Sequence, residues 1–275
     1  DDENENNEKP NGVFAAQRST DRDVWFDICG GPGAWSESAL TLTDMPGFGM
    51  TLDIAMTSHS ERWYPKLKKD SRWRALWGAD GTGNVYSPEN FHQTLVDLQY
   101  QRVVLVMGDG GFAVSKNDAG EHQENLQELF SARIILSELL FGAATLASGG
   151  NFVCKLFDVF SQLTGSIVYA TALLFEQTII VKPRRSRIVN SERYLVGIGR
   201  KSGEIPKLVV ETLQNIHSVW NEKLASDAPM NDTAVAPVSV VPPKLLELDS
   251  TFQSSLSKCA IELCEKQTKA LQVVL

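Results

Sequence analysis

Cysteine is scarce in this sequence, long apolar runs are absent, and basic charge is outnumbered. Each shortage removes a class of protein. Four cysteines, Cys29, Cys154, Cys259 and Cys264, among 275 residues are too few and too scattered for a disulfide scaffold, and two of them lie in strand-like apolar runs. They read as reduced thiols of an intracellular protein, in the cytosol or nucleus. The most apolar stretch, about residues 167–175, is too short and too broken by Thr and Ala to cross a bilayer, and no basic-then-apolar leader is seen. No membrane role is expected. Proline is sparse at 11 residues, while 43% hydrophobic and 22% charged residues match a globular chain rather than a disordered or collagen-like one. At roughly 150 residues per domain, the length suits one large or two small domains. Lys and Arg number 26 against 34 Asp and Glu, a net charge of −8, which argues against a strongly basic nucleic-acid binder.

That charge is unevenly spread. Asp1, Asp2, Glu3, Glu5 and Glu8 stand against Lys9 in a polar leader, residues 1–23, expected to be disordered. Two basic groups stand out further on. The first is Lys66, Lys68, Lys69, Arg72 and Arg74, interleaved with Trp63, Tyr64, Trp73 and Trp77; the second is Lys182, Arg184, Arg185 and Arg187. Basic residues beside aromatics suit a phosphate backbone with stacked bases. The alternative is a solvated face over ordinary core tryptophans.

Along the chain, strand and helix patterns alternate. Residues 24–28, 48–52, 103–107 and 151–157 read as strands, and residues 121–147 space Leu126, Leu129, Phe130, Ile134, Leu136 and Leu140 as a helix that Gly149-Gly150 ends. Residues 161–174 read as a helix, then 178–181 and 194–198 as strands joined by a loop, so these two are expected to pair antiparallel at one end of the sheet. Pro206 opens a helix to about residue 223. Residues 225–243 read as a linker, and 244–275 as a helical appendage packing on the domain spanning 24–224. The expected class is α/β, a mostly parallel sheet with helices on both faces.

Four features carry chemistry. The first strand runs into Cys29-Gly30-Gly31-Pro32-Gly33, a glycine turn at the carboxyl edge of the sheet, where nucleotide-like cofactors bind in this architecture. Its spacing is not Gly-x-Gly-x-x-Gly and no Gly-Lys-Ser/Thr follows, so dinucleotides and triphosphates are disfavoured. Asp109-Gly110-Gly111-Phe112 brings a carboxylate to the same edge. Lys155 lies within an apolar strand, where a charge is costly unless paired or functional; the alternative is a structural lysine reaching the surface. Glu192 opens the last strand, with Arg193 as its alternative surface partner. His59, His92, His122, His217 and the cysteines show no metal-ligand spacing, so no metal is expected.

Together the residues resemble a family. Asp27-Ile28-Cys29-Gly30-Gly31-Pro32-Gly33-Ala34-Trp35-Ser36-Glu37, Gly47-Phe48-Gly49-Met50-Thr51-Leu52, Asp80-Gly81-Thr82-Gly83-Asn84-Val85 and Pro88-Glu89-Asn90 come first. Asp109-Gly110-Gly111-Phe112, Gln123-Glu124-Asn125-Leu126-Gln127, Lys155-Leu156-Phe157-Asp158, Lys182-Pro183, Ser186-Arg187 and Asn190-Ser191-Glu192-Arg193-Tyr194 follow in the same order. The series is similar to the S-adenosylmethionine domain of eukaryotic cap-specific mRNA nucleoside-2′-O-methyltransferases, within the FtsJ-type, Rossmann-like fold.

The resemblance implies ribose methylation near the 5′ cap of mRNA, with Lys155 as general base and Asp109 and Glu192 as its partners. It implies S-adenosyl-L-methionine held by Cys29, Gly30, Gly31, Pro32, Gly33, Ala34, Trp35, Asn84 and Val85. Asn125, Leu126, Gln127, Arg184, Arg185, Arg187 and Glu192 are the implied RNA contacts. Capped RNA is the implied partner, with the transcription or capping machinery as neighbours, no DNA, and the nucleus as location with the cytoplasm second. The family's first catalytic lysine and its cap-gripping residues do not map here, and Lys9 sits in the wrong surroundings for that lysine, so a fragment is expected. Asn84 stands where relatives tend to have Asp. The alternative is an inactive pseudo-methyltransferase or truncated fragment that binds only RNA or a protein partner.

Overall fold

A computed structural model describes residues 22–53, 63–111, 126–184, 186–224 and 236–274. Its strands are β1 (Asp23–Ile28), β2 (Gly47–Met50), β3 (Trp73–Leu76), β4 (Arg102–Gly108), β5 (Leu146–Leu156), β6 (Phe175–Val181) and β7 (Arg193–Arg200). The helices are α1 (Ala34–Leu42), α2 (Pro65–Lys69), α3 (Pro88–Leu98), α4 (Gln127–Thr145), α5 (Gln162–Leu174), α6 (Glu204–Lys223), α7 (Pro243–Leu248) and α8 (Ser250–Val274). The strands form one sheet in the order β3-β2-β1-β4-β5-β7-β6. The five strands β1 to β5 pair in parallel. β7 lies antiparallel between β5 and β6, because a loop without a helix can only return the chain alongside the strand it left.

Alternation sorts the side chains between two layers. Trp25 joins Trp63, Leu67, Trp73 and Met107 under α1 and α2. Val24, Phe26 and Ile28 face the larger layer built on α3, α4, α5 and α6. Local signals start these helices: Ser87 accepts from the Asn90 N–H at 3.1 Å ahead of Pro88, and Ser161 caps α5 through the Thr164 N–H, also at 3.1 Å. α4 is buried on nearly every side, so its charged residues need partners. Glu128 takes the Ser161 N–H at 2.8 Å and its hydroxyl at 2.7 Å, and Arg133 lies 3.8 Å from the Tyr86 ring centroid.

One expectation needs correction. Gly149 and Gly150 do not end α4; the helix stops at Thr145 and both glycines lie inside β5, where the pairing with β4 shifts register and Gly149 takes φ 80°. A glycine in a strand marks such a bulge. β3 and α2 carry no strand or helix expectation, since elements of four and five residues are too short to show a period.

The sheet order reverses between β1 and β4. Ligands of open α/β sheets bind outside the carboxyl ends of the strands at such a reversal. Ile28 pairs with Gly108 and Cys154 with Gly108, so the turns after β1 and β4 and the end of β5 meet at one edge.

Candidate active site

The turn after β1 is built on a buried carboxylate. Asp27 accepts from the Ser36 N–H at 3.0 Å and from the Ser36 hydroxyl at 2.6 Å, and the Trp73 indole N–H reaches the same hydroxyl at 3.3 Å. The Ser36 bonds set this carboxyl of β1 against the first turn of α1, where negative charge suits the helix dipole. Burial, with the charge of Asp109 adding to it, pushes the Asp27 carboxyl up to about 7 against the pull of the Ser36 bonds. Cys29 has φ 55° and Gly33 φ 109°. A Cβ on Gly33 would lie 2.2 Å from Leu67, so this glycine is required by the turn itself. Tyr64 donates its N–H to the Pro32 carbonyl at 2.9 Å.

The loop around Asn84 sits against the end of β2. Asp53 donates its N–H to the Thr82 carbonyl at 2.7 Å, and Asp80 accepts from the Thr82 N–H and hydroxyl at 2.8 and 2.7 Å. Asn84 spends its side-chain oxygen on the Tyr86 N–H at 3.0 Å, which leaves its amide donors for other partners. Val85 is buried, and His217 lies 2.9 Å from its carbonyl; burial pushes His217 down to about 4.

Asp109, Lys155 and Glu192 line a single cleft of about 340 Å³, together with Gly111, Gln127, Phe157, Arg187 and Asn190. The Lys155 ammonium is 2.9 Å from Asp109 Oδ1 and donates to the Asp109 carbonyl at 3.1 Å. Lys155 pairs with Tyr194 across β5 and β7, so the two share a sheet face, and the Tyr194 hydroxyl donates to Glu192 at 3.1 Å. Desolvation and the carboxylates of Asp109 and Glu192 push the Tyr194 phenol well above its usual range. Trp35 stacks obliquely on Tyr194 with ring centroids 5.5 Å apart.

The loop 182–192 is tied down by Lys182. Its ammonium donates to the Asn190 carbonyl at 2.9 Å, the Asn190 side-chain oxygen at 2.5 Å and the Glu192 carbonyl at 2.7 Å. Gln267 of α8 adds a bond to the Asn190 carbonyl at 2.7 Å. The last helix is held beside the site by α5, where Tyr169 and Phe252 meet edge to face at 4.8 Å.

The FtsJ-like methyltransferase family model matches residues 8–200. This chain belongs to that family. It is 34% identical over 257 residues to cap-specific mRNA (nucleoside-2′-O-)-methyltransferase 1 of Trypanosoma cruzi, covering 92% of this chain and 65% of the relative. The protein of the same description from Trypanosoma brucei brucei is 33% identical over 265 residues, covering 94% and 66%. That of Xenopus laevis is 34% identical over 252 residues, covering 89% and 28%. The chain thus spans just under two thirds of the trypanosome relatives and a little over a quarter of the frog one.

In this FtsJ-like methyltransferase the candidate RNA contacts divide. Gln127 and Arg187 line the cleft, Leu126 immediately precedes α4, and Arg184 is exposed. Asn125 and Arg185 lie outside the described residues. Within the first basic group, Trp63 and Trp73 are buried and meet edge to face at 4.8 Å, so they are core residues and offer no stacking platform. Arg72 pairs with Asp70 at 2.9 Å and caps the end of α1 through the Leu40 and Thr43 carbonyls, each at 3.1 Å; Lys66 pairs with Glu37.

Sequence reasoning missed several residues of this FtsJ-like site. Asp53 follows the glycine turn by about twenty residues at the end of the next strand, a spacing that places an acid beside a ribose in related sheets, and this signal was readable. Glu138, whose carboxyl accepts from the Gly110 N–H at 2.8 Å, and Gln267 had none, since each is one polar residue in a long helix whose approach to the site depends on tertiary packing.

Proposed function

We propose that this FtsJ-like methyltransferase methylates a ribose 2′-hydroxyl near the capped 5′ end of RNA, using S-adenosylmethionine. The observation supporting this most directly is the convergence of Asp109, Lys155 and Glu192 on one cleft beside the glycine turn. The donor set fits the cofactor: carboxylates at the ends of β2 and β4, an amide at Asn84 and the main chain of the turn after β1 can meet hydroxyls, an ammonium and a ring edge. S-adenosylmethionine, when bound, supplies a methyl group already activated on a sulfonium.

The protein's own part is orientation and proton removal. Lys155, held by Asp109, is the base that takes up the proton of the ribose hydroxyl. Glu192, held by Tyr194 and by the Lys182 tie beneath it, orients the ribose. Arg187 at the cleft and exposed Arg184 meet backbone phosphates. Fixing the hydroxyl in line with the donor removes much of the barrier, for which orientation effects reach roughly 7–11 kcal/mol. In this reading residues 24–224 form the catalytic domain, 1–23 a leader, 225–243 a linker whose end packs Val240 and Val241 into the domain core, and 244–275 a packed appendage. A capped mRNA substrate goes with a nuclear location, beside the transcription or capping machinery.

The test is methyl transfer from labelled S-adenosylmethionine to capped RNA, with an otherwise identical RNA already methylated at the ribose as control. Label should enter the first and not the second. Equal labelling of both would exclude the ribose hydroxyl as acceptor, and RNA binding without transfer would favour the inactive alternative.

A further inference from the structure

Glu138 is a fully buried carboxyl in the middle of α4 that the proposed reaction does not use. One of its oxygens accepts from the Gly110 N–H at 2.8 Å, and the Cys29 thiol donates to the same carboxyl. A buried acid is costly, and a single apolar residue would fill this space without that cost. Its neighbours are shaped around it: a Cβ on Gly108 would lie 2.6 Å from the Glu138 carboxyl carbon, and one on Gly110 would lie 2.5 Å from Oε1.

The Gly110 N–H and the Asp109 carbonyl belong to one peptide unit. The carbonyl accepts from Lys155 at 3.1 Å while the N–H donates to Glu138. The peptide plane is therefore pinned from both sides, and its orientation decides whether an acceptor faces the Lys155 ammonium. Gly110 has no Cβ, so on its side of the plane the local chain resists rotation less than any other residue would.

We propose that Glu138 is a positioning residue: it locks the Asp109–Gly110 peptide to the turn after β1 and so holds the carbonyl and carboxylate of Asp109 on Lys155. Because this rests on the methyl-transfer reading, the test needs a readout that does not depend on catalysis. The carboxyl is raised to about 8 by burial, with Asp109 adding to it and the Gly110 N–H, Lys155 and Cys29 opposing; Tyr86 and Cys154 also face it. Near neutral pH it is mostly the uncharged acid, which glutamine imitates and methionine does not.

Glu138→Gln and Glu138→Met are compared with the wild-type chain by kcat on capped RNA, by S-adenosylmethionine affinity, by thermal melting and by hydrogen exchange at the Gly110 amide. Glutamine should keep kcat within about threefold and keep the amide protected. Methionine should fold, lose amide protection and lower kcat by about tenfold or more, with a smaller change in cofactor affinity. A folded methionine variant with wild-type kcat overturns the proposal, as does one with an equally protected Gly110 amide. If the wild-type chain transfers no methyl group, the reaction reading fails and exchange alone decides: protection lost only in the methionine variant supports the lock, and equal protection in all three overturns it.

Discussion

Lys182 donates to both the carbonyl and the side-chain oxygen of Asn190, at 2.9 and 2.5 Å, and a third bond to the Glu192 carbonyl at 2.7 Å closes the clasp. One ammonium thus sets the path of the loop that delivers Glu192 to the cleft. Its own charge is disfavoured by burial and partly restored by the charge of Glu192.

Lys182→Met should lower kcat by about 10- to 100-fold, the loss expected if misplacing Glu192 forfeits about 1.5–3 kcal/mol, the worth of one hydrogen bond to a charged group. Cofactor affinity should hardly move. Gln267→Ala removes one neutral bond to the same carbonyl and should cost severalfold at most. The two sites share Asn190, so the double variant should fall short of the product of the single effects. Strict multiplicativity in steady-state kinetics would show that α8 does not act through this loop.

Lys155→Ala should abolish methyl transfer while sparing cofactor binding and fold. Its side chain is mostly shielded, 17% exposed, and its ammonium is 2.9 Å from Asp109, so the alanine variant leaves the Asp109 carboxylate without its cation. Calorimetry for the cofactor and circular dichroism for the fold separate this from unfolding. Near wild-type turnover would make Lys155 a structural lysine.

How much of this was legible follows from the kind of signal each residue leaves. The turn 29–33, Asp109, Lys155 and Glu192 each interrupt a pattern: glycines after a strand, a carboxylate after a strand, a charge inside one. Such breaks are visible without coordinates. Trp63 and Trp73 sit among lysines and arginines, so their surroundings in sequence misrepresent their surroundings in space, where both are core. Lys182 reads in sequence as part of a basic surface, although three acceptors enclose its ammonium. Glu138 and Gln267 lie 28 and 77 residues from their partners, a separation no local pattern encodes. The bulge at Gly149 is hidden because a glycine pair ends helices more often than it continues strands.

Arg184 and Arg187 should bind RNA phosphates. Replacing both with Ala should weaken binding similarly across sequences and lower the slope of log affinity against log salt by about one for each phosphate no longer neutralised. Filter binding over a salt series measures this. An unchanged slope would move the RNA path elsewhere, with exposed Lys68 and Lys69 the next residues to replace.

Asp53 is the cleaner probe of cofactor binding. A substitution at Gly33 would break a left-handed turn packed on Leu67, whereas Asp53→Asn keeps the backbone bond to Thr82 that holds its place. A carboxylate accepting from ribose hydroxyls is worth about 1.5–3 kcal/mol, so affinity for S-adenosylmethionine should fall about 10-fold or more. Calorimetric affinity equal to wild type would leave Asp53 outside the cofactor site.

Stability should fall as pH rises from 6.5 to 8.5. Asp27 and Glu138 are raised to about 7 and about 8 in the fold from 3.8 and 4.5, so the folded chain binds more protons than the unfolded one through that window. Their contribution is full below about pH 4 and is lost as pH climbs through 7 and 8. His217 works in the opposite sense: lowered to about 4 from 6.5, it costs stability only as pH drops below 6.5, when the unfolded chain takes up a proton the folded one refuses. Above 6.5 the two carboxyls therefore act almost unopposed by His217, and the loss is on the order of 2 kcal/mol, several degrees in melting temperature for a domain of this size. Glu138→Gln cannot ionise and should flatten much of that decline, leaving the smaller part due to Asp27. Melting curves for both proteins at pH 6.5, 7.5 and 8.5 decide it. A variant that declines as steeply as wild type would mean that Glu138 does not hold its proton in the fold.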